Sequence, residues 1–463
     1  MPPSPLQRWT IMVSLILAGE AIFTLPYHVT RFFRPTVLEV FDLTATELGI
    51  AQAAYGVIAM AAYALGGPLA DRFPARKLLA GSLWLTASGG LYLATFPGYF
   101  GAMFIWGFFG LSTILFFWAA LIKATRAWGG LEEQGLAYGV LDSGRGLLAA
   151  VMASLGVLLF SLSFPEGYDA ATLPDKRDAL QTIIFGYTGV TALTGLLVWF
   201  TLRALPEAPA LNSPKLFGHF KEVLSIPAVW LQTVILVCAY TSYKAFDQYA
   251  LFAVRGHGID ELDAATIVTA GAWTRPVAAL VLGLLGDRFG VSRMAAVCFF
   301  ILIGSHAFFA FTGAAMGMFS MILVNTVVTG IAIFGLRSLY FALLEEGQVP
   351  MAITGTAIGV VSVIGYTPDV YVAAVAGYLI DQSPGLAGFQ HMFMGLLGTA
   401  VIGAVAALAF TRLPKTGAAP TGGQEIKGMI RYFTRAVYSC QRAPYFAAQR
   451  RSSSRSRGNS SAT

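Results

Sequence analysis

Twelve times along its 463 residues the chain passes through a run that is almost wholly apolar, each about twenty residues long, the length that crosses a bilayer as a helix. The runs fall near 9–30, 47–70, 78–96, 98–121, 137–162 and 181–202. After an interruption they resume near 228–252, 263–286, 294–313, 318–343, 352–380 and 390–411. No feature constrains the fold more, and it predicts an all-α membrane protein of twelve transmembrane helices arranged as six and six. Composition agrees. Charged residues make up 12% of the chain and hydrophobic ones 56%, whereas soluble domains carry about 25% charged residues. The charged skin a soluble protein needs is missing, so lipid must solvate most of the surface.

The interruption, Arg203 to Ile226, is polar and carries Pro206, Pro209 and Pro214, as a linker should. The expected domains are therefore an N-terminal six-helix bundle (1–202), a cytoplasmic central linker (203–226), a C-terminal six-helix bundle (227–411) and a basic, largely disordered tail (412–463). The net charge of +6 belongs to that tail, which holds ten Lys/Arg against Glu425 alone. Residues 1–411 hold twenty Lys/Arg against twenty-three acids, which gives no reason to expect a nucleic-acid partner. In the tail Ile426, Met429, Ile430, Phe433 and Val437 recur at helical spacing among Lys427, Arg431 and Arg435. Two readings stand: an interfacial helix on an anionic leaflet, or an extension without a function of its own. Residues 449–463 are of low complexity and expected to be disordered. Cys238, Cys298 and Cys440 supply neither a disulfide framework nor a metal site. The first run lacks a small-residue cleavage site and is read as a retained helix.

Lys/Arg counts in the loops set the orientation. Starting with the N-terminus inside puts eleven of these residues, from Arg8 to Arg293, on the cytoplasmic side and five on the other: Arg31, Arg34, Lys176, Arg177 and Arg255. Both termini are expected in the cytoplasm.

The halves repeat. Residues 66–77 read GGPLADRFPARK and 283–293 read GLLGDRFGVSR. Residues 135–139 read GLAYG and 355–359 read GTAIG. The two pairs keep nearly one offset, the mark of an internal duplication such as transporters carry. The first stretch resembles the signature loop of the major facilitator superfamily, with Gly67, Asp71, Arg72, Arg76 and Lys77 in place and Pro74 where that family usually has glycine. Gly283, Asp287, Arg288 and Arg293 form its echo. The resemblance extends over residues 9–411. The stretches 116–146 and 337–369 further resemble poorly characterised bacterial members near the organophosphate:phosphate antiporter branch. The resemblance implies two pseudo-symmetric six-helix bundles, a bacterial inner-membrane location, a monomer without cofactor, and alternating access. It also implies that Asp71 pairs with a basic residue ending the fourth helix, for which Arg126 is placed, to clamp one state; Arg72, Asp287 and Arg288 complete the expected clamp. Simple positive-inside anchoring remains the other reading of these basic residues.

The informative residues are the charges inside the runs: Glu20, Asp142, Arg145, Lys244, Asp247, Arg275, Arg337 and Asp369. At roughly 3 kcal/mol per charge at mid-bilayer, eight facing lipid would cost on the order of 20 kcal/mol, more than a typical protein's whole stability. They must face a cavity or each other. Asp142–Arg145 and Lys244–Asp247 are spaced i,i+3, so each pair either neutralises itself on one helix face or serves a ligand; Tyr240, Tyr243, Gln248 and Tyr249 add hydrogen-bonding capacity around Lys244. Arg275, before Pro276, has no nearby carboxylate in sequence, so its partner is a ligand or another helix. Arg337 either contacts substrate or braces Asp287 or Glu345. Glu20 and Asp369 are candidate proton carriers, or partners of Lys244 or Arg275. His28 is placed at the outer rim, and His306 as neutral filler on a lipid-facing helix.

No nucleotide-hydrolysing or hydrolase motif occurs, so an enzyme is not expected and gradients must supply energy. The leading expectation is a secondary transporter of a small, anionic organic solute, with a proton or counter-transported solute as driving partner. A proton symporter of a neutral sugar or polyol, and a transporter-like sensor, are the alternatives.

Overall fold

The computed structural model describes residues 5–129, 134–204, 220–313, 318–349, 354–383 and 385–413, and these are helix and turn throughout, without a strand. Twelve long helices follow in order: α1 (Leu6–Phe32), α2 (Ala45–Arg72), α3 (Ala75–Leu93), α4 (Tyr99–Gly129), α5 (Gln134–Leu162), α6 (Leu173–Thr201), α7 (Pro227–Ala245), α8 (Glu261–Phe289), α9 (Val291–Phe311), α10 (Phe319–Leu339), α11 (Ala357–Gln382) and α12 (Leu386–Thr411). Ten are long and apolar enough to cross a membrane. The other two are α3, diluted by Arg76 and Lys77 in its first turn, and α7, interrupted by Gln232, Lys244 and its tyrosines. The tail and most of the linker lie outside the described residues.

Local signals explain the ends. Thr44 and Glu47 form a capping box at the start of α2, and Thr172 and Asp175 another at α6, each satisfying backbone N–H groups the first turn leaves unpaired. Four runs are interrupted, α4 by a π segment at Leu111–Trp118. Pro26 cannot donate a backbone hydrogen bond, and α1 opens there into a π turn, Thr24–His28. At the far end of α7 a tight turn, Phe246–Gln248, precedes a π turn at Phe252–Gly256. The eleventh run breaks between Gly365 and Pro368. Pro276 sits inside α8, which continues through it.

Within the first six helices α2 packs on α4, α3 on α6, and α1 on both α5 and α6. Within the last six α8 packs on α10, α9 on α12, and α7 on α12. The most extensive packing of one set on the other is α2 on α11 and α5 on α8, and the end of α1 also packs on α8. The outward faces of α6, α9 and α12 show large apolar side chains such as Leu193, Phe200, Phe300, Phe311, Val401 and Val405, the surface expected of helices solvated by lipid.

The α2–α11 crossing is the closest approach between the sets. A Cβ on Gly49 would strike the Ala373 carbonyl, one on Gly377 the Ala45 carbonyl, and one on Gly56 the backbone of Asp369. Small residues are what let membrane helices touch backbone to backbone. All three glycines lie in the half of the crossing away from the chain termini.

Candidate functional site

Seven of the eight charges singled out in the sequence gather into two buried clusters where α1, α5, α7, α8 and α11 meet. The first surrounds Glu20 in the middle of α1. Its carboxylate lies 3.5 Å from Arg275 Nη1, 3.7 Å from Arg145 Nε and 3.4 Å from His28 Nε2. Arg145 also donates to the Gly19 carbonyl at 2.9 Å. Asp142 reaches Arg275 at 3.8 Å and Arg145 at 3.9 Å with a side chain still 57% exposed. The expected Asp142–Arg145 pair is thus one edge of a larger network. The partner of Arg275 is another helix, in fact two from the opposite set. The sequence offers no hint of this, because the partners are 255 and 133 residues away.

The second cluster is built around Lys244. Its ammonium sits 3.3 Å from both Asp247 Oδ2 and Asp369 Oδ1 and 4.2 Å from the centre of the Tyr27 ring. Tyr240 donates its hydroxyl to Asp369 at 3.0 Å. Asp247 has a further partner that sequence reasoning missed: Arg31 Nε, at 2.5 Å. Arg31 and Arg34, assigned above to an outer loop, are buried. The α1 helix extends past residue 30, and a second short helix, Arg34–Val40, folds them inward. Their i,i+3 spacing around Phe32 and Phe33 was the available signal. Aromatic rings wall this cluster: Tyr27 against Tyr55, Tyr240 against Tyr243 and Tyr366, and Tyr63 stacked on Tyr366 across the two sets.

Arg337 stands apart. It braces neither Asp287 nor Glu345; its guanidinium lies over the Tyr243 ring, 4.4 Å from the centroid, and no carboxylate of the described residues lies within ion-pairing distance of it. One histidine also differs from expectation. The π turn of α1 carries His28 into the interior onto Glu20, not to the rim. His306 is buried against α7, with Nε2 3.2 Å from Ser242 Oγ, because α9 turns this face inward.

Around the clusters, on the side away from the termini, polar contacts tie the two sets together. Glu261 accepts from the backbone N–H of Thr36 at 3.0 Å and from its hydroxyl at 2.5 Å. Asp381, ending α11, accepts from the backbone N–H groups of Ala45 and Thr46 at 3.3 and 2.6 Å. It therefore sits where the α2 N-terminus is short of acceptors and favours negative charge. Of the expected clamp, Arg72 and Arg126 stand in the last turns of α2 and α4, Asp287 is exposed, and Arg288 lies over Phe289 at 5.2 Å. The Asp71 side chain is outside the described residues. Among the described residues no group of His, Cys, Asp and Glu is arranged to hold a metal ion.

Apolar helix faces outward, paired charges inward and two sets of six helices meeting around them define a multi-pass integral membrane transporter. The family profile of the Major Facilitator Superfamily matches residues 12–367, and the chain belongs to that family. It is 25% identical over 420 residues to inner membrane protein YihN of Escherichia coli (strain K12), covering 88% of this chain and 96% of that one. It is likewise 25% identical to inner membrane protein YqcE of the same organism, covering 88% and 95%. Among solved structures, a bacterial homologue of the human lysosomal transporter Spinster, inward-facing and unoccupied, superposes with a TM-score of 0.70 at 15% identity, covering 90% of this chain and all of that one. The nucleoside transporter NupG superposes with a TM-score of 0.64 at 15% identity, covering 89% and 100%. Members of this family bind small molecules within the membrane and are not enzymes.

Proposed function

We propose that the chain is a secondary active transporter moving a small anionic organic solute by alternating access, driven by a proton or solute gradient. The observation that carries this reading is the charge balance. The Glu20 cluster holds two carboxylates and two guanidinium or ammonium groups, and so does the Lys244 cluster once Arg31 is counted. Arg337 is left over, positive, flanked by the hydroxyl-bearing rings of Tyr240 and Tyr243. A guanidinium presents a planar fork suited to carboxylate or phosphate. The likeness of stretches 116–146 and 337–369 to the organophosphate:phosphate antiporter branch supports the same choice of charge. Lys244, bridging two carboxylates, is the second ligand group, and Glu20 and Asp369 are the candidates to exchange a proton during turnover. The contacts of Glu261 and Asp381 across the outer half support a state open towards the side of the termini, which this reading takes as the cytoplasm of a bacterial inner membrane. The functional unit is a monomer, with residues 1–202 and 227–411 as the rocking bodies and 203–226 as their linker.

The test is counterflow in proteoliposomes against sugar phosphates, organic acids and neutral sugars. An anion should exchange saturably in the wild type and lose at least about tenfold in affinity in Arg337→Gln, the worth of a charge-assisted hydrogen bond. Saturable exchange of a neutral sugar alone, or an unchanged Arg337→Gln variant, would sink the proposal.

A further inference from the structure

On the outer side of the Lys244 cluster lies a buried cation that neither cluster neutralises. Arg34 is 0% exposed. Its Nη1 donates to Gln52 Oε1 at 3.1 Å, and Gln52 is held in that orientation because its own amide donates to Thr30 Oγ1 at 3.0 Å. The other two guanidinium nitrogens of Arg34 are buried and have no partner. Neither carboxylate nearest this layer serves it. Asp247 is occupied by Arg31 and Lys244, and Asp381 by the first N–H groups of α2. Nor is Arg34 alone in being under-satisfied. Arg31 Nη2 and both amide atoms of Gln248 are also buried and unpaired. The elements concerned touch: Val29–Phe32 packs on Phe246–Gln248, and the short helix Arg34–Val40 packs on Tyr249–Leu251.

A guanidinium stays charged in a protein. It cannot escape its buried position by losing a proton, as a lysine can, and a buried charge without a countercharge is strongly destabilising. Water filling the gap would supply acceptors but no negative charge. The geometry points to a small-anion site at Arg34, completed by Gln52, Gln248 and the free edge of Arg31, separate from the Arg337 position and enclosed when the outer half is shut. Its ligand is a monovalent inorganic anion or a single carboxylate group. The ion bound there neutralises the layer where the two helix sets meet, so the closed outer half depends on it.

The full chain in lipid nanodiscs tests this by thermal unfolding, read from tryptophan fluorescence at constant ionic strength, as isethionate, a bulkier anion without a carboxylate, is replaced by chloride or by formate. Binding to the folded state alone should raise Tm with the logarithm of anion concentration, by roughly 2–4 °C at an excess of about a hundredfold over Kd. Protection by chloride and formate alike marks a free small-anion site; protection by formate only marks a site for a solute's carboxylate. Arg34→Gln should respond to neither. Gln52→Glu, which supplies the missing negative charge from within, should lose the dependence and unfold in isethionate about as high as the wild type does at that hundredfold excess of anion, so the test stands even if Arg34→Gln does not fold. No shift with any anion in the wild type, or an undiminished shift in Gln52→Glu, overturns the proposal. Because the readout is stability and not flux, failure of the transport reading leaves this result interpretable.

Discussion

At the scale of single residues, the structure changes what a Lys244 experiment means. Lys244 holds two carboxylates, but Asp247 keeps Arg31 when the lysine is gone, whereas among the described residues Asp369 keeps only the Tyr240 hydroxyl. The carboxylate stranded by Lys244→Gln is therefore Asp369, not its i,i+3 neighbour. Breaking a buried pair from one side costs about 3–5 kcal/mol, so Lys244→Gln should unfold markedly below the wild type. Lys244→Gln with Asp369→Asn should regain most of that loss, and Lys244→Gln with Asp247→Asn should not. If Lys244 also holds the solute, the stable double variant still binds it about ten- to a hundredfold more weakly, which isothermal titration would read. Restored binding would assign Lys244 a structural role alone. Glu20, Arg145, Lys244, Asp247, Arg275, Arg337 and Asp369 were legible because a charge in an apolar run is conspicuous. Arg31 and Arg34 were not, since they follow the nominal twenty residues of the first run and precede Pro35, where a loop reads equally well. Pairings between α1 and α8, or α1 and α7, depend on helices remote in sequence and leave no trace at short spacing.

At the scale of elements, the twelve runs and the Thr44–Glu47 capping box were readable because length and local hydrogen bonding decide them. The π turn at Thr24–His28 and the break before Pro368 were not, because a proline's effect within a membrane helix depends on which neighbours take up the freed carbonyls; Pro276, in α8, produces no break at all. Replacing Pro26 by alanine should let α1 close into regular α geometry and turn His28 away from Glu20. Cysteine accessibility at position 28 would then differ from that in the proline-containing chain. The α2–α11 crossing gives a sharper expectation. Gly377→Val or Gly49→Val places a side chain where a backbone carbonyl already stands, so the helices must part in their outer half. Labelling of cysteines introduced around Gln52 should rise from the outer side and fall from the side of the termini. Unchanged labelling would mean the crossing has slack that the glycines do not reveal.

At the scale of the whole molecule, the twelve apolar runs and the duplication carried the fold from the sequence, and the family match agrees with both. The clamp proposed for Asp71 from the family resemblance is less accessible to such reasoning, since it would act only in one arrangement of the two halves. Asp71→Asn should shift accessibility between the faces without abolishing solute binding, and equal labelling on both faces before and after would remove the clamp role. Deleting residues 414–463 should leave counterflow intact; loss of an output with counterflow retained would instead favour a sensor.

The Asp381 contact also bears on which substitutions the chain can tolerate. The donors it meets on α2 are chiefly backbone N–H groups, which every residue except proline supplies. Position 46 is thus free to drift at little cost beyond its hydroxyl, while position 381 has no substitute contributor on its own helix. In a selection for transport, a saturation library at 46 should return nearly every amino acid but proline, and the library at 381 should return few besides aspartate. One side of the seal is written in the main chain, and the whole burden of its inheritance falls on a single codon.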